Sequence, residues 1–427
     1  MANLFEELTW RELVYDVTEG LSELLGSQSI TAYAGFDPTA DSLHVGHLLP
    51  LMGLARLQRF GHTPIAIVGG GTGMIGDPSG KSQERNLLSA AQIDANVSAI
   101  RTQLERFLDF ERPGNAARIV NNADWLGTVG LLTFLRDAGK HFTVNYMLQK
   151  ESVNRRLESE EGISFTEFSY LLLQAYDFLQ LFDRFGCTVQ LGGSDQWGNI
   201  TAGIDLIRKL RAKKSHGLVM PLVTTASGVK FGKTEKGAVW LDPRRTSPFA
   251  FFQFWLNTDD RDVLRYLRSF TFLESDRIAE LAASVAANPE RREGQRVLAR
   301  EVTALVHGAE QVARAEHASQ LLFGEDITQL SADDVLAVFA DVPSTEMPEA
   351  QFAGEGLAIV ELLLAAHVVP SKSEARRMVQ AGGVYVNNRR IADLQARFTT
   401  ASAIDGRVMV LRKGARQNHV VRIVSAR

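Results

Sequence analysis

The sequence predicts an α/β protein with a parallel sheet, followed by an all-helical segment and a small α+β segment. Short apolar runs alternate with helical patterns through the first 247 residues, which is typical of a parallel sheet wound with helices. Residues 248–322 contain helical patterns without strand-like runs, and the segment from residue 356 returns to short helices and strands. We therefore expect a Rossmann-like first domain.

The individual elements follow from the apolar periodicity. We expect one amphipathic helix over residues 4–25, a strand at 31–36 and a helix that opens after His47. Further strands are expected at 64–68, 118–120, 187–191 and 218–224. Further helices are expected at 89–110, 130–138, 167–182 and 199–214.

The 427-residue length allows two or three domains. We expect them at 1–247, 248–324 and 356–427, with a linker at 325–355. The linker contains eight acidic residues, Pro343 and Pro348, and no lysine or arginine. This composition predicts a hinge with little structure of its own.

Composition excludes several classes of protein. Cys187 is the only cysteine, so an internal disulfide framework and a thiolate metal cluster are excluded. No apolar run approaches the ~18 residues of a membrane span, and the acidic start does not resemble a signal peptide. These features predict a cytoplasmic protein without a membrane contact.

The net charge of −4 is unevenly distributed along the chain. Residues 371–427 contain twelve lysines and arginines against three acidic residues, a net charge of +9 that leaves −13 for the remainder. A basic terminal segment on an acidic body favours a polyanionic partner for that segment.

One motif stands at a strand-to-helix junction: His44-Val45-Gly46-His47, after the turn that begins at Asp37. Two histidines three residues apart at a helix start share one face, near the positive end of the helix dipole. Gly46 lacks a Cβ, so a flat ring could lie against the backbone there. The pattern suits a nucleoside triphosphate. For this motif alone, two ordinary histidines are the simpler interpretation.

A glycine-rich loop, GGGTGMIGDPSGKS, follows the strand at 64–68. Part of it matches the dinucleotide fingerprint G-x-G-x-x-G, with Asp94 eighteen residues after the last glycine, and part resembles a P-loop that is one residue short. Pro78 and Gly80 would interrupt the helix that a dinucleotide site needs. Neither interpretation accounts for the HVGH motif, so a nicotinamide enzyme is the less favoured alternative.

The helix expected at 167–182 carries polar side chains on an otherwise apolar segment. Tyr170, Gln174 and Asp177 are spaced four and three residues apart, so they share one face. Buried polar groups need hydrogen-bond partners. The spacing predicts either a pocket for a polar ligand or a buried structural network.

Two further stretches are rich in glycine. In GGSDQWGN, residues 192–199, Gly192 and Gly193 would let a ligand approach the backbone, and Asp195 could accept hydrogen bonds from a ribose. A plain glycine turn with an aspartate helix cap is the alternative. KFGKT, residues 230–234, carries two lysines that could follow the charge on a departing pyrophosphate.

Together these stretches resemble the class I aminoacyl-tRNA synthetases. DPTADSLHVGH is similar to the HIGH signature of that family, with Val45 where isoleucine is usual, and KFGKT is similar to its KMSKS signature with three departures. TAYAGFDPT and GDPSGKSQER resemble the bacterial tyrosyl branch of the family. The resemblance implies ATP-dependent ligation of L-tyrosine to tRNA(Tyr) through a tyrosyl-adenylate.

The resemblance also implies three sets of site residues. Charge in the transition state would be stabilised by Thr39, His44, His47, Lys81, Arg85, Lys230, Lys233 and Thr234. Tyrosine would be bound by Tyr33, Asp77, Tyr170, Gln174, Asp177, Gln190 and Gln196. ATP would be bound by Gly35, Asp37, His44, Gly46, His47, Gly192, Gly193, Asp195 and Lys233.

Within the tyrosine set, the resemblance places Tyr33 and Asp177 around the substrate phenol, and Tyr170, Gln174 and Asp77 around its ammonium group. A phenol donates and accepts a hydrogen bond, so a carboxylate and a hydroxyl suit it. A bound phenylalanine would leave both protein groups buried without partners.

The terminal segment PSKSEARRMVQAGGVYVNNRRI resembles the RNA-binding module of ribosomal small-subunit protein S-four. The expected tRNA contacts are Arg208, Lys209, Arg376, Arg377, Arg389 and Arg390. A merely solvated basic surface is the alternative. The resemblance further implies Mg²⁺ carried by the triphosphate, no metal held by the protein itself, a homodimer, and a role in protein biosynthesis.

Two other functions remain open at this point. A tryptophan-specific relative is disfavoured by the Tyr33 and Asp177 pair. A non-catalytic RNA-binding protein on a synthetase scaffold is disfavoured by the retained histidines and lysines, His44, His47, Lys230 and Lys233.

Overall fold

The computed structural model describes residues 3–79, 88–158, 162–226, 231–234, 237–323, 327, 331–339, 342–414 and 417–424. The chain forms two compact units, one of Met1–Thr246 with Gln253–Val306 and one of Ser247–Phe252 with His307–Arg427. The domain boundaries expected from the sequence stay a prediction.

The first unit is built on a six-stranded sheet in the order β1-β6-β5-β2-β3-β4. Its strands are β1 (Asp16–Val17), β2 (Thr31–Phe36), β3 (Thr63–Val68), β4 (Arg118–Asn121), β5 (Cys187–Gly193) and β6 (His216–Met220). All neighbours are parallel except β1, which pairs antiparallel with β6. A two-stranded ribbon is formed by β7 (Lys233–Thr234) and β8 (Gly237–Ala238). The expected α/β class with a parallel sheet is confirmed.

Helices surround this sheet. The first ten are α1 (Leu4–Trp10), α2 (Leu21–Ser27), α3 (Leu48–Arg59), α4 (Ala90–Leu104), α5 (Ala123–Leu126), α6 (Leu131–Asp137), α7 (Val144–Leu148), α8 (Glu151–Leu157), α9 (Phe165–Phe185) and α10 (Trp197–Arg211). The helical stretch expected after residue 248 is confirmed as α11 (Pro248–Leu256), α12 (Asp260–Phe270), α13 (Ser275–Ala287), α14 (Glu293–His307) and α15 (Ala309–Phe323).

Local sequence explains the central elements. The strand β3 is a near-continuous apolar run that is buried after its first residue, and β2 is buried over residues 32–34 and at Phe36, as parallel strands covered on both faces require. Helix α9 begins where the Ser164 side chain accepts a hydrogen bond from the Glu167 amide, and it ends at Gly186 with φ of 63°.

The single helix expected over residues 4–25 is wrong. The structure has α1 and α2 there, separated by β1, whose Asp16 and Val17 pair with Val219 and Leu218 of β6. Residues in the middle of an apparently helical pattern therefore form the edge strand of the sheet.

The second unit contains a five-stranded sheet in the order β12-β11-β14-β15-β9 and a two-stranded sheet of β10 and β13. The strands are β9 (Ser344–Pro348), β10 (Leu357–Ala358), β11 (Val384–Val386), β12 (Arg389–Ile391), β13 (Arg397–Phe398), β14 (Val408–Lys413) and β15 (Gln417–Val424). The helices are α16 (Ala332–Val338), α17 (Ile359–Ala365) and α18 (Lys372–Gln380).

The acidic segment 325–355 is more ordered than the sequence predicts. It contains α16 and β9, and β9 pairs in parallel with β15 over five residues. Ile327 and Phe339 are buried in a cluster with Val408 and Val420. The expectation of a hinge with weak structure is therefore wrong for these parts.

Within the described residues, no helix combines the length and the apolar character needed to cross a membrane.

Candidate active site

The candidate site lies in the first unit, where the chain reverses its path along the sheet. From β2 the chain continues to β3 and β4 on one side, and later returns to place β5 on the other side of β2. Such a reversal leaves a crevice at the carboxyl ends of the strands, which is where open α/β sheets bind ligands. The glycines and polar residues that the sequence singled out follow these same strand ends.

The HVGH motif forms a rigid corner before α3. His44 Nδ1 accepts a hydrogen bond from the Gly46 amide at 3.1 Å, and His47 Nδ1 accepts one from the His44 amide at 3.1 Å. The two rings stack with centroids 4.0 Å apart. Because each Nδ1 is an acceptor, the proton of each neutral ring is on Nε2. Both histidines can therefore act as hydrogen-bond donors through Nε2.

Gly46 lies beside the ring of His44. A Cβ at this position would lie 2.8 Å from His44 Cε1, so the space beside the glycine is filled by the His44 ring itself. The glycine thus permits the histidine arrangement, and Gly46 is exposed.

The segment that carries KFGKT lies against this corner. Val239 donates its amide to the Gly232 carbonyl at 3.0 Å, and the Val239 carbonyl accepts from the Val45 amide at 2.9 Å. His44 also forms an isolated antiparallel bridge with Trp240. The two motifs are far apart in sequence and adjacent in the structure.

Several expected charge-stabilising residues are not described. Lys81, Arg85 and Lys230 lie outside the described residues, and Lys233 and Thr234 are described only through their backbone in β7. Thr39 is exposed in the turn before the HVGH corner, where its amide donates to the Asp37 carbonyl at 2.8 Å.

Asp177 and Tyr33 are both buried, and the charge of Asp177 acts on the Tyr33 hydroxyl. Asp177 Oδ1 accepts from Trp125 Nε1 at 2.7 Å, and Asp177 Oδ2 accepts from Asn122 Nδ2 at 2.9 Å. The Tyr33 hydroxyl is buried and makes no hydrogen bond within the described part of the chain. A buried hydroxyl without a partner is costly, which points to a ligand group at this position.

Burial also changes the acidity of these groups. Desolvation raises the pKa of Asp177 to about 7, although the hydrogen bonds from Asn122 and Trp125 oppose the shift. Desolvation, followed by the charge of Asp177, raises the pKa of Tyr33 well above its ordinary value. A donor that approached Asp177 would favour its ionised form.

A second group of polar side chains forms a network of amides around Asp77. Asp77 Oδ2 accepts from Gln196 Nε2 at 2.8 Å, and Gln196 Oε1 accepts from Gln174 Nε2 at 3.2 Å. Asn199 Nδ2 donates to Gln174 Oε1 at 2.9 Å and to Ser79 Oγ at 3.3 Å. The structure thus brings Asp77, Gln174 and Gln196 together, as the resemblance implied.

The Tyr170 hydroxyl is bonded to Asp37. It donates to Asp37 Oδ2 at 2.9 Å, and Asp37 Oδ1 accepts from Thr72 Oγ1 at 2.8 Å. Desolvation, then the charges of Asp37 and Asp77, raise the pKa of Tyr170 well above its ordinary value. Asp37, expected in the ATP set, therefore accepts from Tyr170 and Thr72, and Thr72 Oγ1 in turn accepts from Asn122 Nδ2.

The remaining expected residues lie at the ends of β2 and β5. Tyr33 and Gln190 are register partners on these strands, so they face the same side of the sheet. Gln190 is buried, and its Oε1 has no hydrogen-bond partner among the described residues. A Cβ at Gly193 would lie 2.7 Å from Asp195 Oδ1, so a side chain there would displace the exposed Asp195.

Sequence reasoning missed the residues that orient Asp177 and the amide network. These are Ser79, Thr72, Asn122, Trp125 and Asn199. A signal was available for Asn122, which follows β4 directly, since polar residues at the carboxyl ends of parallel strands share one edge of the sheet. Nothing in the local sequence indicated Trp125.

The expected tRNA contacts fall on both units. In the first unit, Arg208 and Lys209 are exposed on α10 and both contact Asp205. In the second unit, Arg376 and Arg377 are exposed on α18, and Arg389 and Arg390 are exposed on β12. Arg390 Nε donates to the Gly382 carbonyl at 2.9 Å.

Within the described ranges, no group of three or more histidine, cysteine, aspartate or glutamate side chains is arranged to hold a metal ion.

Comparisons with known proteins place the chain in a family. The family of class I tRNA synthetases (W and Y) matches residues 26–324, and the tyrosine–tRNA ligase SYY-like C-terminal domain matches residues 334–421. A tyrosine–tRNA ligase of Roseiflexus castenholzii is 58% identical over 99% of this chain and 100% of that protein. A tyrosine–tRNA ligase of Geobacillus stearothermophilus is 52% identical over 98% of this chain and 99% of that protein.

Solved structures agree with this placement. A C-terminally truncated mitochondrial tyrosyl-tRNA synthetase of Aspergillus nidulans is 32% identical, with a TM-score of 0.69 over 76% of this chain and 95% of that chain. A tryptophan-bound tryptophanyl-tRNA synthetase of Encephalitozoon cuniculi, at 13% identity and a TM-score of 0.53 over 72% of this chain and 87% of that chain, shares the fold. The chain therefore belongs to the class I tRNA synthetases of the tryptophan and tyrosine family, and within it to the tyrosine–tRNA ligases.

Proposed function

We propose that the site described above ligates L-tyrosine to tRNA(Tyr) in two ATP-dependent steps. In the first step, the tyrosine carboxylate attacks the α-phosphorus of ATP, which forms tyrosyl-adenylate and expels pyrophosphate. In the second step, a hydroxyl of the terminal tRNA ribose attacks the adenylate carbonyl and releases AMP. The observations that carry this proposal are the contact between the HVGH corner and the KFGKT segment, and the buried Tyr33 hydroxyl that has no partner among the described residues.

The substrate side chain lies between Tyr33 and Asp177. The phenol donates to the Asp177 carboxylate and accepts from the Tyr33 hydroxyl, which supplies the partner that Tyr33 lacks within the described chain. Asn122 and Trp125 hold the carboxylate from its other side. Phenylalanine offers neither interaction and is disfavoured.

The ammonium group of the substrate lies near Asp77. This end of the pocket combines the Asp77 carboxylate with the carbonyl oxygens of Gln174 and Gln196, all of which can accept hydrogen bonds from an ammonium. Asp37 acts through Tyr170, whose hydroxyl it holds by a bond of 2.9 Å. Gln190 supplies a further buried acceptor beside Tyr33.

ATP lies over the strand ends and the HVGH corner. The Nε2 donors of His44 and His47 face the triphosphate, together with Thr39, and Asp195 accepts from the ribose beside Gly192 and Gly193. Gly35 leaves the end of β2 open to the nucleotide. Lys81, Arg85, Lys230, Lys233 and Thr234 stabilise the charge that builds on pyrophosphate as it leaves, so they act on the transition state more than on the bound substrates.

Mg²⁺ arrives with ATP and screens the charge of the triphosphate. The tRNA contacts the basic residues of α10 in the first unit and of α18 and β12 in the second unit, through phosphate groups. The three-domain division of the sequence, at 1–247, 248–324 and 356–427, assigns catalysis to the first domain and RNA binding to the other two. The protein acts in the cytoplasm.

The protein is proposed to be a homodimer. Large apolar side chains exposed on the first unit are concentrated between residues 131 and 165: Leu131, Leu132, Leu135, Val144, Leu157 and Phe165. Leu132 is 81% exposed and Phe165 is 79% exposed. We propose that these six side chains form one exposed apolar patch. Such a patch marks a protein–protein contact, and a second copy of the chain is the partner that we expect.

An exchange assay tests the proposed reaction. Purified protein should exchange pyrophosphate into ATP when tyrosine is added, and not with tryptophan or phenylalanine. His47→Gly should slow this exchange by on the order of 100-fold and leave the dissociation constant of tyrosine nearly unchanged. Equal exchange with tryptophan or phenylalanine would contradict the assigned specificity.

A further inference from the structure

The second residue of KFGKT, Phe231, is an aromatic side chain that is buried among other aromatic rings. Phe231 is 7% exposed although lysines flank it in the motif. Its ring stacks on Phe270 with centroids 5.3 Å apart and planes inclined by 7°, and it meets Tyr266 at 5.0 Å. The rings of Trp255 and Phe254 complete this aromatic pocket, with centroids 5.8 and 5.9 Å from that of Phe231. The pocket walls come from α11 and α12, outside the parallel sheet.

The next residue, Gly232, lies against the HVGH corner. Gly232 has φ of +76°, and a Cβ there would overlap Val45 Cγ2. Its carbonyl accepts from the Val239 amide, which links it to Val45 through the Val239 carbonyl. Two consecutive residues therefore connect the aromatic pocket with the HVGH corner, and the backbone of Lys233 follows directly.

Helix α12 also holds the chain that leads into the motif. The Thr224 carbonyl accepts from Arg265 Nη2 and, at 3.2 Å, from the Tyr266 hydroxyl. The Ala226 amide donates to Asp262 Oδ2 at 2.8 Å. The same helix thus supports the chain on both sides of residues 227–230.

We propose that Phe231 is a positioning residue, whose ring in the pocket of α11 and α12 sets the place of the Lys233 backbone relative to His44 and His47. This inference rests on the proposed role of Lys230 and Lys233 in the first step. Groups that act only in the transition state must be placed accurately, and a displacement of about 1 Å can cost on the order of 100-fold in rate. The cost falls on kcat, because the tyrosine pocket is built from other elements.

The test compares Phe231→Ala, Phe231→Met and Phe272→Ala in the full-length protein. Phe231→Ala should lower kcat of tyrosine-dependent pyrophosphate exchange by about 10- to 100-fold, with KM for tyrosine within about twofold of wild type. Phe231→Met keeps a long apolar side chain and should restore most of kcat. Phe272→Ala removes a ring just beyond α12, beside Arg59, and should leave kcat unchanged.

A second measurement separates positioning from a general loss of structure. Transfer of tyrosine from preformed enzyme-bound adenylate to tRNA releases no pyrophosphate, so its rate should be unchanged in Phe231→Ala. An unchanged exchange kcat, or an equal loss in exchange and transfer, would overturn the inference. Phe270→Ala, which removes the stacking partner, should reproduce the loss in exchange.

Lys233→Ala distinguishes this inference from the proposed function. If Lys233→Ala leaves exchange unchanged, the proposed role of the lysine fails. If Lys233→Ala slows exchange and Phe231→Ala does not, the lysine role stands and the positioning role of Phe231 is overturned.

Discussion

Gly232 packs directly against Val45, so closely that a Cβ on Gly232 would overlap Val45 Cγ2. Val45 is fully buried in the HVGH corner, and its amide is bonded to the Val239 carbonyl at 2.9 Å. The HVGH corner therefore has little room to move away from residue 232. Any side chain at residue 232 would push the lysine-bearing segment away from the histidines.

We predict that Gly232→Ala lowers kcat of pyrophosphate exchange by about 10- to 100-fold and leaves the dissociation constant of tyrosine unchanged. Gly237→Ala is the matched control: Gly237 also has a positive φ, +104°, but a Cβ there meets no atom within 4 Å. Both variants carry backbone strain, and only Gly232→Ala carries the overlap. Equal losses in the two variants would show that strain alone is responsible.

The raised pKa of Asp177 predicts how tyrosine affinity depends on pH. Burial raises the pKa of the Asp177 carboxyl to about 7, and the substrate phenol donates at full strength only to its ionised form. Binding therefore favours the deprotonated state, so the dissociation constant of tyrosine should fall as pH rises from 6 to 8 and then level off. Calorimetric titration with tyrosine between pH 6 and 9 measures this curve.

The Asn122→Ala variant tests whether Asp177 is the group responsible for the pH dependence of tyrosine binding. The Asn122 amide donates to Asp177 Oδ2 and lowers the pKa of Asp177. Its removal should move the inflection of the binding curve to higher pH, and Asp177→Asn should abolish the inflection. An inflection at the same pH in all three proteins would assign it to another group.

The motifs that could be recognised from the sequence are those whose determinants are local. HVGH and GGSDQWGN each combine a strand end, a turn and a helix start within a few residues, and these local patterns correctly predicted β2, β5 and the helices after them. The contacts of Asp177 depend on β4 lying next to β3, which brings Asn122 and Trp125 to a residue more than 50 positions away. The spacing of residues along α9 could not reveal the contacts of Asp177 with side chains that follow another strand.

Short strands at sheet edges account for the errors in the fold. β1 has two residues and β9 has five, and each is defined by a partner far along the chain, β6 and β15 respectively. Their own sequences carry no strong apolar alternation. The helical pattern around β1 and the acidic, proline-containing composition around β9 therefore led to the wrong predictions for these two segments.

The carboxyl end of α12 is held by two buried arginines, which predicts a stability effect. Arg56 Nη2 donates to the carbonyls of Arg268, Ser269 and Thr271, and Arg11 donates to the carbonyls of Arg268, Thr271 and Leu273. Arg56→Met would leave the Ser269 carbonyl without its arginine donor and the Arg268 and Thr271 carbonyls with Arg11 alone, at a cost of about 2 kcal/mol.

Arg59→Met is the control for Arg56→Met. Arg59 lies on the same helix and places its guanidinium 3.3 Å from the centroid of the Phe272 ring, an interaction of about 1 kcal/mol. Urea denaturation should therefore separate the two variants clearly. If Arg59→Met were as destabilising as Arg56→Met, the carbonyl contacts would not be the source of the effect.

The exposed apolar patch between residues 131 and 165 predicts a concentration-dependent dimer. Leu132→Glu places a charge in the patch and should raise the dimer dissociation constant at least tenfold, about 1.4 kcal/mol. Tyr15→Glu is the control, since Tyr15 is 67% exposed on another part of the first unit. Sedimentation velocity over a range of protein concentrations measures the dimer dissociation constant of both variants. A Leu132→Glu variant that sediments as wild type at every concentration would exclude this patch from the contact.

The basic residues of α18 predict a loss of tRNA charging without loss of the first step. Arg376 and Arg377 are exposed, whereas Lys372 on the same helix is paired with Glu361 at 2.8 Å. The double variant Arg376→Ala/Arg377→Ala should lower kcat/KM for tRNA by about tenfold or more and reduce its dependence on salt, since each phosphate contact contributes to that dependence. Pyrophosphate exchange should be unchanged, and Lys372→Ala should behave as wild type in both assays. An unaltered salt dependence in the double variant would mean that this face of α18 does not contact RNA.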